Sequence, residues 1–306
     1  ADMVKWNGLV EYTYTSTRHD TNTSKKVKNN DDDLVFRLEP KAEVNKNWDV
    51  HARLDADIKL DSDKGHDGTV DLKRVWAEGH YDNFNVKLGK LPNAINLIST
   101  TDDPYSGAAV TFGKDFKVTL EGGRLDATQF GDMGRNMDGL LPSNSNDVFS
   151  NDVFKKGDDT VNFQAINLGY AKNKFYGNAG YEHMDGATLV ANSLPKAYNN
   201  DYKAGKDSEY KANIWFVNAG YRFDHNSFFK AEYAQNTEAD NYDNAYSFEY
   251  DYKGAQQQNK GSWGMYLAYR NLGQYAAPWS TYGDGVDGGQ KGIEVGTGYT
   301  LFQNCL

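Results

Sequence analysis

The stretch VHARLDADIKL, residues 50–60, places Val50, Ala52, Leu54, Ala56, Ile58 and Leu60 at every second position and fills the gaps with His51, Arg53, Asp55, Asp57 and Lys59. A helix turning every 3.6 residues would spread these apolar side chains around its circumference, whereas a pleated strand sends them all to one face. The stretch therefore predicts a strand that is apolar on one face and ionisable, with both signs of charge, on the other. Residues 34–44 repeat the pattern: Leu34, Phe36, Leu38, Pro40, Ala42 and Val44 share one parity, while Arg37, Glu39, Lys41 and Glu43 share the other.

Such alternation recurs along the chain, and no long stretch shows helical spacing. The fold class predicted is all-β, an antiparallel transmembrane β-barrel, with about fourteen strands near 4–14, 34–44, 48–60, 69–81, 84–91, 107–112, 116–125, 161–171, 175–184, 213–223, 227–236, 245–252, 262–272 and 291–301. Many approach the 9–11 residues a tilted strand needs to cross a bilayer. The connections alternate in length. Short ones fall at 45–47, 82–83, 113–115, 172–174, 224–226 and 302–304, with 253–261 of moderate length. Long ones, rich in Asp, Asn, Gly, Ser and Lys, fall at 15–33, 61–68, 92–106, 126–160, 185–212, 237–244 and 273–290. A membrane barrel is built this way, with short turns at one end and longer loops at the other.

Aromatic residues bracket the short turns: Tyr81 and Phe84, Phe112 and Phe116, Tyr170 and Phe175, Phe223 and Phe228. Most share the parity of the aliphatic set of their strand, where an interfacial girdle would lie. Phe228 breaks the parity of Phe229, Ala231 and Tyr233, which predicts a bulge in that hairpin. In 241–252, Tyr246, Phe248, Tyr250 and Tyr252 oppose Ser247, Glu249 and Asp251, so the rings are expected to face outward.

Composition removes other classes. A net charge of −10 with no basic stripe argues against nucleic acid. The single cysteine, Cys305, supplies neither a disulfide framework nor a thiol-rich metal site. No run of eighteen apolar residues exists, but a barrel exposes only alternate residues to lipid, so a low window average does not exclude one. The final TLFQNCL starts a fresh strand at Cys305, so residues 1–306 read as a single barrel domain lacking its last two strands, sixteen when complete.

The segment NVKLGKLPNAINLISTTDDPYSGAAVTFG, residues 85–113, together with WDVHARLDADIKL and the run from Leu72 to Tyr81, resembles the general bacterial porins. It is most similar to the porin barrel of the S-layer-homology-linked outer-membrane proteins of diderm Firmicutes. That resemblance implies a barrel of about sixteen strands, a homotrimer in the bacterial outer membrane and passive diffusion of small hydrophilic solutes and ions. Outer-membrane lipid is then the main partner, and cell-wall polymer is one only through a domain absent from this chain. The alternative function is a structural anchor tethering the membrane to the cell wall.

In a barrel, the charged parity must face water. Each Arg or Lys on the lipid side near the midplane would cost about 2–4 kcal/mol against a total stability of about 5–15 kcal/mol. Arg37, Glu39, Lys41, Glu43, Asp49, His51, Arg53, Asp55, Asp57 and Lys59, with Arg74, Glu78, Lys117, Glu121, Lys230 and Glu232, are therefore expected to line the channel. By position and resemblance, the loop 92–106 folds inward as the constriction, its Asp102 and Asp103 facing Arg37, Arg53 and Arg74 across the pore. Such a transverse field would orient polar solutes. Alternatively, 92–106 only caps the barrel mouth, or 126–160 forms the constriction. Two consequences are expected. Arg at Leu54 or Ile58 should block assembly while Arg at Asp55 should not, and neutralising Asp102 and Asp103 should shift selectivity toward anions.

Other chemistry is weaker. His51, His80 and His183 are far apart in the chain without paired ligand spacing, so no zinc site is expected. DSDKGHDG at 61–68 and YGDGVDGGQ at 282–290 hold oxygen donors but lack the closing Glu of a calcium loop. Ordinary solvation is the simpler reading, with loop calcium the alternative. No nucleophile elbow or His-bearing catalytic motif stands out, and no enzyme is expected.

Overall fold

The computed structural model describes residues 3–20, 26–60, 69–92, 105–126, 160–188, 209–273, 275–276, 285–286 and 289–305. Among them are fourteen strands and no helix. The chain divides into two compact units, Ala1–Leu91 and Pro92–Leu306.

The first unit holds β1 (Val4–Asp20), β2 (Lys26–Glu43), β3 (Trp48–Lys59), β4 (Thr69–His80) and β5 (Phe84–Leu91), each antiparallel to its chain neighbour. The second holds β6 (Tyr105–Gly113), β7 (Phe116–Asp126), β8 (Thr160–Lys172), β9 (Phe175–Thr188), β10 (Glu209–Arg222), β11 (Ser227–Asn236), β12 (Asn244–Lys253), β13 (Trp263–Leu272) and β14 (Lys291–Tyr299), paired in the same way. Every expected strand is present.

Two expectations about the hairpins are corrected. The segment 15–33, expected as a long connection, is mostly ladder: β1 and β2 stay in register out to Asp20 opposite Lys26. Apolar alternation stops near Tyr14, but ladder hydrogen bonds come from the backbone and continue through polar residues. Nor does the Phe228 hairpin carry a bulge. Arg222 pairs with Phe228 and Tyr221 with Phe229 without a shift. Phe228 instead lies against the Tyr176 ring, centroids 5.9 Å apart, with the Arg222 guanidinium 5.1 Å from its own centroid. Gly220 makes room for this stack, since a β-carbon there would collide with both Tyr176 and Phe228.

A bulge occurs elsewhere. Arg53 pairs with Arg74 but Leu54 pairs with Leu72, so Lys73 is the extra residue of β4. The slip keeps Val70 and Leu72 on the same exposed apolar face as Val75, although their parities differ. A second shift leaves Ala187 over in β9 beside Gly186, whose φ of 98° favours glycine.

The two faces differ as the alternation predicts. On one face of the first unit, Trp6, Val10, Tyr12, Phe36, Val50, Leu72 and Phe84 are exposed; in the second unit, Leu120, Ile166, Leu168, Trp215, Val217, Phe248, Leu267, Ile293 and Val295 are exposed. Apart from Phe228, the rings bracketing the short turns share this surface, with Tyr81 and Phe84 stacked at 4.8 Å and Tyr170 and Phe175 6.3 Å apart. A second aromatic row stands toward the other strand ends. In the first unit Tyr12 donates its hydroxyl hydrogen bond to Asp32 at 3.1 Å. In the second, Tyr181 donates to Asn213 at 2.6 Å, and Trp215 packs on Tyr233 at 5.0 Å. The rings of β12 expected outward include Phe248 and Tyr250, both exposed, opposite buried Ser247 and Glu249.

The opposite face of the second unit departs from the uniformly polar expectation. Toward the long-connection end of β8 to β10, Val161, Phe163, Met184, Tyr210, Ala212, Ile214 and Phe216 are buried on the same face as Asn218. Tyr105 and Phe163 rings meet there at 5.0 Å, and Tyr105 donates to Glu121 at 2.9 Å. The carboxylate of Glu182 is fully buried in this region and makes no hydrogen bond among the described residues. Toward the short-turn end the same face becomes an asparagine ladder, Asn167 donating to Asn178 and Asn178 to Asn218 at 3.3 and 2.9 Å.

Candidate functional site

The densest chemistry of the first unit lies where β2, β3 and β4 present their ionisable parity side by side. Period-two spacing puts Arg37 and Lys41 on this face of β2, Asp49, His51, Arg53 and Asp55 on that of β3, and Arg74, Trp76 and Glu78 on that of β4. Register then selects partners. Asp55 stands opposite Arg37, and Asp49 stands between Glu43 and Glu78.

Asp55 is buried between two guanidinium groups. Arg37 donates Nε to Oδ1 at 3.0 Å and Nη2 to Oδ2 at 3.3 Å, a two-pronged grip. Arg53 donates Nη2 to Oδ2 at 2.6 Å and Nε to Oδ1 at 3.0 Å. Arg53 and Arg74 are direct register partners, a like-charge juxtaposition that Asp55 offsets on the Arg53 side. Asp57 is exposed, with Lys73 Nζ 4.0 Å away and 3.6 Å from Asp71. Lys59 ends β3 opposite Asp33. Asp102 and Asp103 lie outside the described residues, as do 61–68 and most of 282–290. Of the expected wall residues, the structure thus brings Arg37, Arg53 and Asp55 into contact and sets Arg74 beside Arg53.

A second knot centres on Asp49, also buried. Lys41 Nζ is 2.6 Å from Oδ2, His80 Nε2 is 3.1 Å from Oδ1, and His51 Nε2 is 3.3 Å from Oδ1. His51 also lies 3.3 Å from Glu78 Oε2, and its ring stacks flat on Trp76, centroids 4.7 Å apart and planes within 2°. Asn85 donates to Glu78 Oε1 at 2.8 Å and approaches His80 Nδ1 at 3.1 Å. His51 and His80 are separated in the chain, yet strand pairing brings both to one carboxylate; His183 instead approaches Asn213 and Asp185 in the second unit. The signal that could have placed Trp76 here was its parity with Arg74 and Glu78.

The second unit carries its own charged knot. Arg270, buried, bonds Glu249 at 2.7 Å, Glu294 at 3.3 Å and Ser247 at 2.7 Å. Lys230 meets Glu249 at 2.7 Å, Tyr266 donates to Glu294 at 2.6 Å, and the Val286 amide donates to Glu294 at 3.0 Å. Sequence reading missed this knot, because Glu249, Arg270 and Glu294 occupy three different strands and only the ladder joins them.

These knots hold their charges in paired form. No protein-family model matches the chain. Nor does any curated protein. Among solved structures the chain is similar to porins. A variant of Rh. blastica porin aligns at 11% identity over 96% of this chain and 98% of that one, with a TM-score of 0.44. Salmonella typhi OmpF, in complex with daunomycin, aligns at 13% identity over 96% of each chain, with a TM-score of 0.47.

Proposed function

We propose that the chain is an outer-membrane porin, a transmembrane barrel whose charged parity lines a water-filled channel for passive diffusion of small hydrophilic solutes and ions. The observation that carries this reading is the exposed apolar surface fringed by two aromatic rows. On β10 it runs from Trp215 through Val217 to Tyr221 and then to Phe223 in the following turn, all exposed. Eight residue-to-residue steps at about 3.3 Å each give about 26 Å along the strand, shortened by tilt, against an apolar band about 25 Å tall in outer-membrane barrels. A water-soluble protein rarely exposes a continuous apolar patch beyond a few hundred square ångströms. Tyr12 and Tyr181, with the ring on the apolar surface and the hydroxyl on a polar side chain, suit a membrane boundary.

Assembly as a homotrimer and a bacterial outer-membrane location belong to the same proposal. Arg37, Arg53, Asp55, Arg74, Asp57 and Lys59 are then wall residues whose field a solute feels, and Asp102 and Asp103 remain proposed for the constriction.

The solvent-excluded apolar region around Phe163, Ile214 and Phe216 favours a second reading, a structural anchor that needs no continuous water path. Planar-bilayer recording separates the two. Stepwise conductance is expected from the purified, reconstituted protein, and a silent bilayer with protein demonstrably inserted would overturn the pore in favour of the anchor.

A further inference from the structure

We propose that Asp49, His51 and Glu78 form a binding site for a divalent transition metal such as Zn2+ on the charged face of the first unit. The sequence logic is local and simple. Asp49 and His51 are two apart on β3, so both face one way, and the register sets Glu78 of β4 directly opposite Asp49.

The donor atoms already stand at coordination spacing. His51 Nε2 is 3.3 Å from Asp49 Oδ1 and 3.3 Å from Glu78 Oε2, and one donor from each residue lies within 4.8 Å of the others. Bonds to Zn2+ of about 2.0–2.2 Å from nitrogen and oxygen imply tetrahedral edges of about 3.3–3.6 Å. The two edges from His51 Nε2 already have that length, and side-chain rotation sets the carboxylate-to-carboxylate edge. Three protein donors leave the fourth position to water or a solute, the open pattern of reactive sites and not the closed one of structural zinc. Imidazole among the donors favours a borderline transition metal over Ca2+ or Mg2+.

Neighbours hold each donor in place. The Trp76 ring fixes the plane of His51. Asn85 occupies Glu78 Oε1 and so leaves Oε2 for the metal. Lys41 occupies Asp49 Oδ2, while Oδ1, 3.1 Å from His80 Nε2, keeps a second lone pair for the metal; the positive charge of Lys41 offsets part of the metal's attraction to the site. Asn85 can donate only to the lone pair of His80 Nδ1, which puts the His80 proton on Nε2, directed at Asp49. His80 is thus a positioning residue and not a ligand, the kind of outer partner whose loss weakens metal affinity 10- to 100-fold. Two carboxylates and a neutral imidazole balance a divalent charge.

The site does not depend on the pore reading and is tested apart from conductance. The full chain, folded in detergent, is titrated with Zn2+ by calorimetry and with Co2+ by visible absorption. One equivalent of metal is expected, with Co2+ giving the d–d bands of a four-coordinate nitrogen–oxygen site. H51Q and E78Q should each weaken binding at least tenfold, H80Q about tenfold, and H183Q not at all. Absence of binding by the unaltered chain, or a Co2+ spectrum identical to the hydrated ion, would overturn the proposal without reference to any variant. Binding that survives H51Q with strand content unchanged would overturn it as well.

Discussion

Asp55 carries more structural weight than its neighbours because two arginines converge on it, Arg37 from β2 and Arg53 from its own strand. Removing its charge would leave Arg37 and Arg53 facing each other beside Arg74. Breaking a buried pair by deleting one partner costs about 3 kcal/mol or more, since the surviving charges have lost their compensation. D55N is therefore expected to lower resistance to urea unfolding in lipid by about that amount, with D57N, at an exposed position, nearly neutral. Equal stability of the two would show that water, and not Asp55, satisfies the arginines. The same geometry revises the sequence-based view of Asp55 as a position tolerant of Arg. Alternation correctly assigns its face, but crowding by two cations depends on Arg37 arriving from another strand.

At the scale of the strand, β3 is the test of face assignment. Val50 is exposed on the apolar side, while Asp57 is exposed on the charged side. Arg at Leu54 would be driven into lipid and should cost about 2–4 kcal/mol if it lies near the midplane, blocking assembly in the membrane. D57R should assemble normally and replaces Asp55 as the tolerated control; heat-stable folding on a gel reads both outcomes. Equal tolerance would refute the two-faced strand. The elements themselves were legible because alternation is written in each segment, and fourteen of fourteen expected strands form. Irregularities were less so. The phase change in Val70, Leu72, then Val75, Ala77 does mark the bulge at Lys73, whereas the apparent phase error at Phe228 marks a ring turned to the other face, stacked on Tyr176. One slip changes pairing and the other does not. Only the partner strand distinguishes them.

For the molecule as a whole, the exposed apolar surface is the decisive property. A chain with net charge −10 and charged residues at 25% looks hydrophilic on average, yet it sorts that charge to one side of its strands. The purified protein should stay dispersed only in detergent and should aggregate when detergent is diluted below its critical micelle concentration. A monodisperse protein in plain buffer would contradict the membrane reading. That measurement does not bear on the metal site, and metal titration does not bear on the membrane.

What the amino-acid order determined by itself is the strand, its two faces and the aromatic fringe at the short turns, because the pleat has a period of two in any strand and needs no neighbour to express it. What only tertiary structure decided is which charges meet across strands: Asp55 with Arg37, Asp49 with Lys41 and His80, His51 with Glu78, and Arg270 with Glu249 and Glu294. Register is a relation between strands, set by turn length and bulges. One residue of slip would have given every one of those side chains a different partner.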